Sequence, residues 1–168
     1  MNNSNRFLSV MSEVPVLVFA GIPIAGSLWP LDSTMVVVLS LLSGFLLVGL
    51  ILTGIPIRRR LIVFSALMIA SVAFLNWPLK LAFAASQNDF ERVAKQLDDG
   101  ETVQAPIQIG LFNVAKAEVN RNGVICFWTD DDPSGATGFV NGDESVGEEF
   151  NLWSQCGVAR DWQFLSED

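Results

Sequence analysis

The sequence predicts a membrane α-helical region of two or three spans joined to a small α+β domain, an amphipathic helix followed by an antiparallel sheet of four to five short strands. Three observations carry that expectation. Residues 1–80 hold five basic residues against two acidic ones, a balance of +3, while residues 81–168 hold five basic against sixteen acidic, a balance of −11. The first half contains long apolar runs free of charge, in a chain that is 51% hydrophobic overall. Beyond position 85 the apolar residues recur first at helical spacing and then at a period of two. The expected organisation is a transmembrane region over 1–85 and an extracytoplasmic domain over 86–168.

The strongest span is Met35 to Ile57, with no charge along its length. At 1.5 Å per residue a helix over this run exceeds a hydrocarbon core of about 30 Å. After Arg58, Arg59 and Arg60 a second apolar run reads from Leu61 to Leu79. One buried element across both would leave three arginines in lipid, each costing roughly 2.5–3.5 kcal/mol on the insertion scale. The arginines are therefore expected in a turn between spans 35–57 and 61–79. The segment 14–31 is apolar as well, but it carries Pro15, Pro23 and Pro30 with Gly21 and Gly26. It is read as a span, with a re-entrant or interfacial segment as the alternative. A cleaved signal peptide fits less well, because the amino-terminal region has only Arg6 as a positive charge and further spans follow.

Lysine and arginine accumulate in cytoplasmic loops, so Arg58, Arg59 and Arg60 set the topology. Their turn faces inward, Leu61–Leu79 runs outward, and everything after Lys80 lies outside a plasma (inner) membrane. Trp29 and Trp77 then fall on one side, as an interfacial belt requires. Small residues recur at helical spacing, Gly21 with Ala25, Ser40 with Gly44, and Ala66 with Ala70 and Ala73, a pattern that lets helices pack closely. No ionisable residue falls inside a span away from its ends, which leaves a proton relay without a carrier.

In the second half Phe90, Val93, Ala94 and Leu97 mark one face of a helix from Ser86 to Leu97, with Ser86 as N-cap and Gly100 beyond its end. Ile107, Ile109 and Leu111, then Ala115, Ala117 and Val119, alternate along a strand. Asn122-Gly123 is a hairpin turn, and Val124–Thr129 returns. Further strands are expected at 138–140, 150–153 and 162–165. Cys126 and Cys156 lie in a compartment where thiols oxidise. A bridge between them would close a loop of about 30 residues, worth roughly 3–4 kcal/mol in the chain-entropy model; two buried free thiols are the alternative.

Composition closes several functional classes. Without histidine there is no Ser-His-Asp or Cys-His nucleophile and no HExxH zinc site. Two cysteines cannot make a four-cysteine metal site, and an acidic second half is unsuited to nucleic acid. No cofactor is expected, calcium aside. Asp130, Asp132 and Ser134 fall at positions 1, 3 and 5 of a calcium loop with Gly135 at 6, but position 12 is Asn141 where a bidentate glutamate belongs.

IGLFNV at Ile109–Val114, VICFWT at Val124–Thr129, GFV at Gly138–Val140 and DWQFL at Asp161–Leu165 resemble the tails of small bacterial membrane proteins with a compact outer domain. The resemblance covers the C-terminal half of the chain. It implies architecture alone, since no activity attaches to that group. The expected partners are the lipid bilayer and another membrane protein, for a non-enzymatic interaction module or accessory subunit. The alternative is a small extracytoplasmic enzyme or a calcium-dependent domain built on Asp130–Asp132.

Overall fold

Four helices precede seven strands in the computed structural model, which describes residues 3–28, 33–52, 59–130 and 137–167. Trp29, Arg58, Asp132 and Ser134 lie outside the described residues. The chain divides into two units between Pro78 and Leu79, earlier than the boundary expected at 85/86.

The first unit holds α1 (Asn3–Leu28), α2 (Ser33–Leu52) and α3 (Arg59–Leu75). Pro15 and Pro23 are carried inside α1, so neither proline ends that helix. The helices correspond to the apolar runs; residues 53–57 of the span expected at 35–57 lie outside the described residues, and α3 ends at Leu75, short of the expected Leu79. Among the described residues no single helix is long and apolar enough to cross a membrane, although α3 and α4 have the length and composition for it as a broken pair.

The break is at Asn76, whose φ of 44° leaves the right-handed helical region. Its cause is Pro78. Continued through this point, the helix would drive the proline ring into the carbonyl of Phe74 and lose a hydrogen bond. Restarting at Trp77 puts Pro78 in a first turn, where its missing N–H costs nothing. Asparagine tolerates the left-handed conformation better than most residues.

Helix α4 then runs from Trp77 to Asp98 without interruption. The expected start at Ser86 is thus corrected. Ser86 lies mid-helix and buried, its hydroxyl donating to the Ala82 carbonyl at 3.0 Å and accepting from the Leu111 N–H at 3.0 Å. The helix ends where expected. Gly100, at φ 83°, donates to the Leu97 carbonyl, and Glu101 donates to that of Gln96, the paired bonds of a Schellman cap.

Strands β1 (Ile107–Ile109) and β2 (Phe112–Val114) form a hairpin of their own. The single strand expected here is broken at Gly110, whose φ of 57° favours glycine and where a Cβ would collide with the Ser86 side chain. Strands β3 (Lys116–Val119), β4 (Ile125–Trp128), β5 (Thr137–Asn141), β6 (Leu152–Ala159) and β7 (Trp162–Glu167) make an antiparallel sheet in the order β3-β4-β5-β7-β6. The turn at Asn122-Gly123 joins β3 to β4, with Asn120 Oδ1 accepting from the N–H groups of Asn122 and Val124.

The sheet is covered on both faces. One face carries Phe127, Phe139, Val158, Trp162 and Phe164 against Leu79, Phe83, Phe90 and Leu97 of α4 and Ile109, Phe112 and Val114 of the small hairpin. The other carries Cys126, Trp128, Val140 and Leu165 against Val146, from a 3-10 helix at Glu144–Glu149. Phe90 is the hub of the larger core, its ring 5.0–5.9 Å from those of Phe83, Phe112, Phe127, Phe139 and Trp162. Phe90→Ala should lower the stability of this unit by about 3–5 kcal/mol, read from its denaturant midpoint by tryptophan fluorescence. A loss below about 1 kcal/mol would mean that the ring is not packed as described.

Candidate functional site

Among its described residues, the first unit buries three serines beside Val16, Val36, Leu47, Ile69 and Val72 and leaves many large apolar side chains exposed. Ser40, Ser43 and Ser65 are buried, whereas Phe74 is 87% exposed, Leu52 81%, Phe45 75% and Leu67 65%. Val16, Leu47 and Ile69, one from each helix, join the three along their buried sides. The Ser40 and Ser43 hydroxyls donate to the Val36 and Leu39 carbonyls, each at 2.8 Å, so they need no water.

Between α2 and α3 lies an open apolar groove of about 630 Å³, with Ser40 and Gly44 on one wall and Ala66, Ala70 and Ala73 on the other. Two of the small-residue stripes read from the sequence, Ser40 with Gly44 and Ala66 with Ala70 and Ala73, thus line a gap. A Cβ added at Gly44 or Gly21 would meet nothing within 4 Å, so neither glycine marks a close helix crossing.

In the second unit the acidic residues are tied into the fold. Asp130 accepts from the Thr137 N–H with both carboxylate oxygens and from the Thr137 hydroxyl, closing the loop between β4 and β5. Asp132 and Ser134, the other expected calcium ligands, lie outside the described residues. Among the described residues no group of three or more Asp, Glu or Cys side chains is placed to hold a metal ion. Asp143 caps the 3-10 helix, and its bonds from the Ser145 hydroxyl and N–H hold its carboxyl below the usual range. Glu149 accepts from Asn122 at 2.9 Å and Asn120 at 3.4 Å, fastening the β3–β4 turn.

Glu118 pairs with Lys116 at 2.9 Å and accepts from the Trp128 indole at 3.0 Å. Burial works to raise its carboxyl, but the bonds from Lys116 and Trp128 and the Lys116 charge outweigh it and leave the group lowered. Glu167 is raised, by burial and then by the Glu118 charge. A polar cleft of about 350 Å³ beside the C-terminal end of α4 is lined by Lys95, Asp98, Asn122 and Asn141. One cation, one carboxylate and two amides can hold a polar group there but supply no activated nucleophile.

Cys126 and Cys156 are both free, so the expected bridge is absent. The register gives the reason. Cys126 pairs across with Val140, Val140 with Gln163, and Gln163 with Gly157, so the neighbouring Cys156 points from the opposite face of the sheet. Three strand spacings also separate them, about 14 Å, where a disulfide needs a Cα separation of about 4.4–6.8 Å. Burial, with the charges of Glu118, Glu167 and Glu149, pushes the Cys126 thiol up to about 12. Of the proposed interfacial belt, the Trp77 indole donates to the Ser71 hydroxyl at 3.3 Å, and Trp29 lies outside the described residues.

Comparison with protein-family models, with curated proteins and with solved structures finds no match.

Two outcomes test these arrangements. At pH 8 a thiol reagent should modify Cys156 in the folded protein and Cys126 only after unfolding, and a mass two hydrogens short would show a bridge instead. The carboxylates should titrate with opposite signs. Glu118, lowered on folding, stabilises above its unfolded pKa and loses that contribution as pH falls through the folded value. Glu167, raised on folding, favours the fold at low pH and opposes it as pH rises through its folded value. Glu118→Gln should therefore lower Tm at pH 7 and Glu167→Gln raise it, with both differences fading near pH 3. Equal shifts of one sign would contradict the assignment.

Proposed function

We propose that the chain is a membrane-anchored module that holds its α+β unit at the extracytoplasmic face of a plasma membrane, where it engages a partner protein as an interaction or accessory subunit. The observation that carries this reading is the reversed polarity of the helical unit. Each of Phe45, Leu52, Leu67 and Phe74 would forfeit roughly 1.5–3 kcal/mol by facing water instead of an apolar medium. Lipid removes that penalty. The apolar helical stretches Val14–Gly26 and Val36–Leu52 rise about 20 and 26 Å, short of a hydrocarbon core of about 30 Å, so the bilayer of this reading thins around them. The 17 residues of α3 reach about 25 Å, a mismatch a bilayer absorbs by thinning locally.

Arg59 and Arg60 are exposed at the start of α3, and the positive-inside rule sets that end toward the cytoplasm. The second unit then follows on the outer side. Its structural use of Asp130, Asp143, Glu118 and Glu149 favours a binding role over a catalytic one. Trp153, 61% exposed at a register shift in β6, is the kind of aromatic that anchors protein interfaces. Alkaline phosphatase fused after Asp168 should be active, and a cytoplasm-dependent reporter at the same point should stay dark; the reverse pattern would reject the orientation. Mild detergent extraction should recover a stoichiometric partner, and Trp153→Ala should reduce that recovery about tenfold or more. A clean monomer unaffected by the substitution would reject the interaction role.

A further inference from the structure

We infer that the outward face of α3 is a binding site for an anionic phospholipid, with the phosphate held by Arg59 and Arg60 and an acyl chain lying along Val63, Phe64 and Leu67. The inference rests on the membrane reading and adds a ligand to it. These five residues line one shallow groove. Spacings of three and four from Arg59 and Arg60 put Val63, Phe64 and Leu67 on the same helical stripe, and all three apolar side chains are more than half exposed.

The groove is charged at one end and apolar along the rest. Among the described residues neither arginine makes an ion pair, so both guanidinium groups can turn to a ligand. Guanidinium matches a phosphate through paired, parallel hydrogen bonds, and it is more weakly hydrated than an ammonium group. From Arg60 to Leu67 the helix rises about 10 Å, so the apolar strip runs from the headgroup level into the acyl region. A free phosphate would satisfy the arginines and leave the strip unused. A neutral lipid would use the strip and leave the arginines unmatched. An anionic phospholipid satisfies both, and basic sites beside membrane helices on the cytoplasmic side select such headgroups.

The test uses the full chain reconstituted into vesicles of equal parts phosphatidylglycerol and phosphatidylcholine, extracted in mild detergent and weighed with its retained lipid by native mass spectrometry. Retained lipid should be enriched in phosphatidylglycerol by on the order of tenfold. The doubly substituted Arg59→Gln, Arg60→Gln protein should lose the enrichment, and Arg59→Lys with Arg60→Lys should keep part of it. Phe64→Ala with Leu67→Ala should lower retention, and millimolar inorganic phosphate should not displace the lipid. Equal retention of the two lipids would overturn the site, as would displacement by inorganic phosphate or enrichment that survives the glutamine pair. Unchanged helical content by far-UV circular dichroism and unchanged entry into the vesicles in each variant certify that the helical unit is folded. Failure to enter the vesicles would defeat the membrane reading and the site together, whereas entry without lipid preference would defeat the site alone.

Discussion

Among the described side chains of the helical unit, Ser40, Ser43 and Ser65 are buried while Phe45, Phe64 and Phe74 are exposed. Everything proposed for the protein depends on that inversion. The Ser40 and Ser43 hydroxyls bond back to their own helix and tolerate an apolar interior, and an exposed phenylalanine tolerates an apolar exterior, which supports the lipid surroundings proposed for this unit. On that reading the Arg59 and Arg60 guanidinium groups at the start of α3 mark the cytoplasmic interface.

The second unit answers a different solvent. It buries its apolar surface on both faces of one sheet, with α4 and the β1–β2 hairpin on one side and the 3-10 helix on the other. Ser86 links two of these pieces, since a single hydroxyl binds the α4 backbone and the tip of the small hairpin. Three of the unit's acidic residues stabilise turns. Asp130 closes one loop, Asp143 starts the 3-10 helix and Glu149 fastens the turn at Asn122-Gly123.

Much of this was legible in the sequence, for physical reasons that differ by element. Uncharged runs identified α2 and α3, because an apolar helix leaves no alternative pattern. Asn122-Gly123 identified the β3–β4 turn, and short apolar runs bounded by Gly, Asp and Ser located β5 and β7. The start of α4 was misread at Ser86 because a serine ahead of an amphipathic stripe has the chemistry of an N-cap, while the apolar run before it was assigned to a span ending at Leu79. The signal was present nonetheless. Leu79, Phe83, Ser86 and Phe90 continue one helical stripe back from Leu97, and only the packing shows that its first residues belong to the domain core. The β1–β2 hairpin was hidden because Gly110 is a single glycine inside a convincing alternation. The 3-10 helix had too short a period to register. Opposite faces for Cys126 and Cys156 required the strand order, and neighbouring positions in sequence space do not encode it.

Fractionation of cell membranes washed with alkaline carbonate tests the reversed polarity most directly, because the wash strips proteins held at the surface and leaves those embedded in lipid. Full-length protein is expected to stay in the washed membrane pellet and to leave it only with detergent. Quantitative release into the supernatant as a monodisperse species would show that the exposed phenylalanines and leucines are covered by something other than lipid, and the membrane assignment would fall.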